Sequence, residues 1–239
     1  ICHKIFLLTC KTPHTGLGVE VLKNKLYMDH LNLPEKDEDV TCIDKDQLID
    51  YTSRDAIDIY FYTLFKNLTM IELSETDVSG DIIHLKSLPS LTLIYLHNTG
   101  VTGDIKHLGS LPSLTHIRLS RTGVTGDIMH LKSLSNLTGI YLSTTGVSGD
   151  IAHLNSLLKL ANIQLFKTGV SGDIAHLKSL LNLTVIRLSW TAVTGDIAHL
   201  QSLPNLTAIS LGSTGVTGDE EAFHEYRNSR GLEECVVMR

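Results

Sequence analysis

No stretch of the 239 residues comes near the roughly 18 consecutive apolar residues that would span a bilayer. The opening segment, ICHKIFLLTC, has only a short apolar run and no initiator Met. It is therefore not recognisable as a signal peptide, and the expectation is a mature form or a fragment. The chain also lacks G-x-G-x-x-G, Walker A, H-E-x-x-H, C-x-x-C and G-x-S-x-G, which removes the usual signatures of nucleotide, metalloprotease, redox and hydrolase chemistry. Tryptophan occurs once, and aromatics make up 5% of the chain. The four cysteines (Cys2, Cys10, Cys42, Cys235) all fall towards the ends. Disulfide-braced ends suit a secreted protein and four thiols suit a cytosolic one, and both readings stay open.

Acidic residues are scarce in one place. Residues 82–218 carry five acids against nine Lys or Arg, whereas residues 1–81 carry fifteen against eight and 219–239 six against three. The overall net charge of −6 thus hides a mildly basic middle between acidic flanks.

That middle is a repeat. Leu68, Leu91, Leu114, Leu137, Leu160, Leu183 and Leu206 each open a run of the form L-x-x-I-x-L, with a strict period of 23 residues. Three residues after each run comes Thr (76, 99, 122, 145, 168, 191, 214), and then a segment such as TGVSGDIAHLNSL (145–157) or TGVSGDIAHLKSL (168–180). A fixed period of this size marks a solenoid, in which each unit buries its apolar face only against its neighbours. Alternating Ile and Leu predict a half-buried strand, glycine a turn, and Asp the N-cap of one or two helical or 3₁₀ turns over IxHLxSL.

The run LTHIRLSRTGV (114–124) resembles the leucine-rich repeat pattern L-x-x-L-x-L-x-x-N-x-L, with Thr at the Asn position, and TGDI resembles the SGxIP segment of plant-type repeats without its Pro. The resemblance covers about residues 68–218 and implies an α/β leucine-rich repeat horseshoe with a parallel concave sheet. In that family the Asn bonds backbone groups of adjacent coils, so the Thr is expected to do a smaller version of the same. The expected organisation is an N-terminal segment and degenerate capping repeat (1–67), seven repeats (68–218) and a C-terminal cap (219–239). The cap is expected to end in a closing strand, with Leu232, Cys235 and Val237 in the L-x-x-L-x-L places. A short helix is expected at 19–31.

Two columns compete as functional sites. The pairs Asp81/His84, Asp104/His107, Asp127/His130, Asp150/His153, Asp173/His176 and Asp196/His199 could share a metal, but the spacing equally places His in a turn capped by Asp. Six equal copies argue against catalysis, which needs one asymmetric constellation. We assign no metal site, no cofactor and no enzymatic activity. Protonation of the His column is expected to cost stability or alter association below about pH 6.

The other column is where the copies differ most, at the concave strand positions. Tyr95, Arg118, Arg121, Tyr141, Phe166, Lys167, Arg187 and Trp190 fall there, residue types that anchor interfaces. The reading is a binding module for a protein partner, acidic in character, engaged through the concave face. The alternative is a structural subunit docking by its convex face or N-terminal segment. Four Lys or Arg make too thin a track to favour nucleic acid. Regular Thr pairs also suggest an ice-binding surface, with the first Thr of each pair expected to face inward or along the coil. Asn-Leu-Thr triplets at Asn67, Asn136, Asn182 and Asn205 are glycosylation acceptors in a secreted chain and, with the terminal cysteines, lean towards an extracellular setting. Leu-Thr belongs to the repeat, however, so the triplet arises wherever Asn precedes it.

Overall fold

The computed structural model describes residues 41–44 and 58–239. The helix expected at 19–31, Cys2 and Cys10 lie outside the described residues.

Each coil begins with a three-residue strand whose middle Ile is buried, as in Leu93–Tyr95, His116–Arg118, Gly139–Tyr141, Asn162–Gln164, Val185–Arg187 and Ala208–Ser210. With Met70–Glu72, Cys42–Asp44 and Val236–Met238 these form a nine-stranded parallel sheet, ordered along the chain. Register is one coil per step, so that Ile94 pairs with Ile117 and Ile117 with Ile140. The Leu and Ile anchors of all seven repeats are buried, and the core is a continuous column. The 23-residue period therefore produces an α/β solenoid.

The sequence reading did not anticipate a second parallel sheet, of seven strands, built from the segments expected to be turns: Ser79–Asp81, Gly100–Asp104, Gly123–Asp127, Gly146–Asp150, Gly169–Asp173, Ala192–Asp196 and Gly215–Thr217. Its glycines before Asp have φ between 99° and 113°. A Cβ at Gly103 would strike the carboxylate of Asp81 in the preceding coil. A glycine that reads as a turn signal is here a condition for close stacking of coils.

Each Asp then caps a 3₁₀ helix, as expected. Asp150, for instance, accepts from the Ala152 N–H at 2.7 Å and opens Ile151–Leu154. At Asp104, burial alone would raise the carboxyl, but the Lys106 N–H, the Lys106 ammonium at 3.4 Å and nearby His130 outweigh it and hold the group below its usual range.

The Thr at the family's Asn position bonds within its own coil, a correction to the expectation. Thr99, Thr122, Thr145 and Thr168 each donate to the carbonyl three residues back, at 2.6–2.7 Å. The short side chain reaches its own strand end and no further. The hydroxyl ladder between coils comes from another column: Thr92 donates to Thr69 O, Thr115 to Thr92 O and Thr138 to Thr115 O, at 2.9–3.1 Å. The sequon asparagines Asn136, Asn182 and Asn205 likewise donate to carbonyls of the preceding coil.

At the C-terminal end Asp219 caps an α-helix, α1 (Glu220–Ser229), in the place of the 3₁₀ turn. The closing strand is present, but Val237 pairs with Ile209, the second anchor of its repeat, where the sequence reading had placed it third. The ten-residue helix changes the path length, and a shift of two residues keeps Cys235 facing the core. Burial raises the Cys235 thiol pKa, and Arg227 opposes this only in part. Arg227 itself is 1% exposed and donates to the carbonyls of Gln201, Leu203, Leu206 and Glu233.

Candidate functional site: the outward column of the nine-stranded sheet

Because the strand period is two, the residue between the buried Ile and Leu of every coil points outward. The register sets Glu72, Tyr95, Arg118, Tyr141, Gln164, Arg187 and Ser210 side by side. Arg118 lies between two tyrosines, its guanidinium carbon 4.6 Å from the ring centroid of Tyr95 and 4.6 Å from that of Tyr141. Each such contact is worth about 0.5–2 kcal/mol and fixes the plane of the guanidinium. The Nε of Arg118 is buried and has no hydrogen-bond partner among the described residues.

Gly139 makes this stack possible. A Cβ there would sit 2.6 Å from Cε2 of Tyr141 and 3.0 Å from Cδ2 of His116. Without a side chain at 139, the Tyr141 ring lies beside the His116 imidazole. His116 meets Tyr95 edge-on at 6.3 Å and contacts the hydroxyls of Thr115 and Thr138 at 3.2–3.4 Å. Burial, and then the charge of Arg118, lower its pKa below the ordinary 6.5 and disfavour the protonated imidazole.

Arg121, Lys167 and Trp190 were expected on the concave strand positions. The structure places them past the strand ends, on a turn where their φ values are 57°, 53° and 60°. The coil bends here towards the second sheet, which requires a left-handed residue in each repeat, and none of the seven is glycine. Lys167 Nζ lies 5.7 Å from the Phe166 ring and 5.9 Å from that of Trp190, which is 59% exposed. Thr144, Lys167 and Trp190 border an open groove of about 660 Å³ along this bend.

The expected site residues thus gather into two clusters, Tyr95–Arg118–Tyr141 and Phe166–Lys167–Trp190. Arg121 and Arg187 are exposed beside them and make no ion pair among the described residues. The first full coil is acidic, with Glu72 on the strand and Glu75 on the bend, the latter 3.8 Å from His97 Nε2. Gly139 was missed in the sequence. Gly139 carried a signal, being the one glycine in a column that otherwise reads Met70, Leu93, His116, Asn162, Val185 and Ala208.

The Asp/His column is accounted for by capping on its Asp side. Among the described residues no group of three or more His, Cys, Asp or Glu is placed to hold a metal ion. Nor is any described helix long and apolar enough to cross a membrane.

No family model matches the sequence, and no curated protein matches it. Solved structures do. Internalin C2 of Listeria monocytogenes is 25% identical, with a TM-score of 0.63, covering 77% of this chain and 76% of its own. An internalin (InlF) of the same organism is 22% identical, with a TM-score of 0.58, covering 76% of this chain and 57% of its own. The Arabidopsis receptor kinase HAESA, in complex with the peptide hormone IDA and the co-receptor SERK1, is 28% identical, with a TM-score of 0.61, covering 67% of this chain and 28% of its own. The chain therefore spans little more than half of InlF and under a third of HAESA. With its 23-residue period, its stacked parallel coils and these likenesses, the chain is a leucine-rich repeat solenoid.

Proposed function

We propose that this solenoid is a non-enzymatic binding module that recognises an acidic protein segment through the outward column of its nine-stranded sheet and the adjoining bend. The observation that carries the reading is Arg118 held between Tyr95 and Tyr141. A cation already fixed in its plane loses little conformational freedom when a carboxylate binds, so the cost of ordering is met by the fold. Tyr141, Arg187, Lys167 and Trp190 extend the surface with residue types that supply most binding energy in interfaces. HAESA, a structural likeness, is a receptor kinase seen in complex with a peptide hormone, which supports peptide or protein recognition here. Residues 68–218 carry the recognition in this reading, and 219–239 close the array.

A second reading, docking into a larger assembly by the rim, draws on Leu158 and Leu181. They are 60% and 56% exposed, one coil apart, between the 3₁₀ turn and the strand, where other coils place Pro or Ser. Affinity capture from the native source separates the two. Arg118→Glu with Arg187→Glu abolishes capture in the first reading and leaves it intact in the second. Leu158→Ser with Leu181→Ser does the reverse.

A further inference from the structure

We propose that the segment bound on this face is an extended peptide lying along the solenoid axis, with two carboxylates four residues apart, one on Arg118 and one on Arg187. The inference rests on the concave-face reading above and specifies its ligand.

The two arginines occupy the same outward column, separated by three steps of register: Arg118 pairs with Tyr141, Tyr141 with Gln164, and Gln164 with Arg187. Neighbouring strands stand about 4.8 Å apart, so the two backbone positions are about 14 Å apart. A peptide running parallel to the strands would stay over one or two coils and could not reach both. A peptide running across them advances about 3.3 Å per residue, with side chains alternating between faces. Residues i and i+4 then span about 13 Å and point to the same side. Residue i+3 points away from the sheet, and i+2 falls short at about 7 Å. Four is therefore the spacing at which an extended chain places both carboxylates on the two guanidinium groups. Residue i+2 meets the Tyr141 ring and the Gln164 amide between them.

Charge sets where such a segment settles. Glu72 and Glu75 repel carboxylates from the first coil. Every acid within 82–218 belongs to the second sheet's Gly-Asp row, where it caps a 3₁₀ turn. The outward column from Arg118 to Arg187 thus carries no carboxylate of its own to compete with the ligand. Arg118 offers a plane fixed by the two rings, and Arg187 an exposed side chain that adapts.

The test uses four end-blocked nine-residue peptides of Gly, Ser and Thr. Three contain two Asp separated by two, three or four positions, and the fourth contains two Asn separated by four. Each is titrated calorimetrically against the full chain at low ionic strength. The expected result is that the four-spaced Asp peptide binds about tenfold more tightly than the three-spaced one, and that the Asn peptide binds least. Arg118→Gln or Arg187→Gln, each checked for an unchanged melting temperature, removes the preference. Equal binding of the three Asp peptides, or no binding of any, overturns the inference. The concave-face reading fails separately, by native-source capture that ignores the double Arg→Glu variant.

Discussion

Arg227 Nη2 donates to the carbonyl oxygen of Leu206 at 2.8 Å, while Nη1 of the same guanidinium reaches Leu203 O at 2.8 Å. Helix α1 thus delivers a buried cation to carbonyls at the end of the solenoid, and the coil stack stops without leaving them unpaired. Truncation to Arg227→Met keeps the bulk but strands those acceptors. We expect a loss of about 3 kcal/mol in urea unfolding, with Arg227→Lys recovering less than half. An Arg227→Met protein as stable as wild type would refute this role.

The hydroxyl ladder has one gap. Thr92, Thr115, Thr138, Thr184 and Thr207 each donate to the preceding coil, but position 161 is Ala. Ala161→Thr should add a bond to Thr138 O and raise stability by about 0.5–1 kcal/mol. Thr138→Val should lower it by a similar amount. Thermal or urea unfolding of the two variants reads both signs.

Two glycine columns in the second sheet should respond differently to alanine. Gly172 has φ 104°, and a Cβ there would strike Asp150, so Gly172→Ala should cost about 1–3 kcal/mol. Gly169 occupies the place where the next coil already has Ala192, and its Cβ would lie 3.2 Å from Ser148 Cβ. Gly169→Ala should change stability by less than about 0.5 kcal/mol. Unfolding midpoints that reverse this order would refute the stacking account.

His116 is expected to contribute to acid sensitivity. Its folded pKa lies below the ordinary 6.5, chiefly through burial. The unfolded chain therefore takes up the proton more readily. Stability is full above pH 6.5 and falls as pH drops through that value towards the lower folded pKa. Unfolding midpoints at pH 7.5 and pH 5 should differ less in His116→Asn than in wild type. An identical pH difference in both proteins would contradict the assignment.

Much of this was readable in the sequence, for a physical reason. Every coil poses the same packing problem, so Leu114, Ile117 and Leu119 recur at fixed offsets and disclose the core, and Asp127 discloses its cap. The second sheet was not readable, because GVTGD has too few side chains to show a strand period and its glycines read as turns. Arg227 was hidden because one Arg in a polar helix looks solvated until its carbonyl partners are placed. The outward column was visible as variation between copies. The Arg118 sandwich within it needed register and the absent side chain of Gly139. The shift of Arg121, Lys167 and Trp190 to the bend needed backbone angles that no residue type announces.

The account stands most directly on the affinity of the captured native partner for wild-type protein and for Arg118→Gln, measured at increasing salt. It predicts at least a tenfold loss with Arg118→Gln and a wild-type affinity that falls as salt rises. Equal affinities for the two proteins, indifferent to salt, would contradict it.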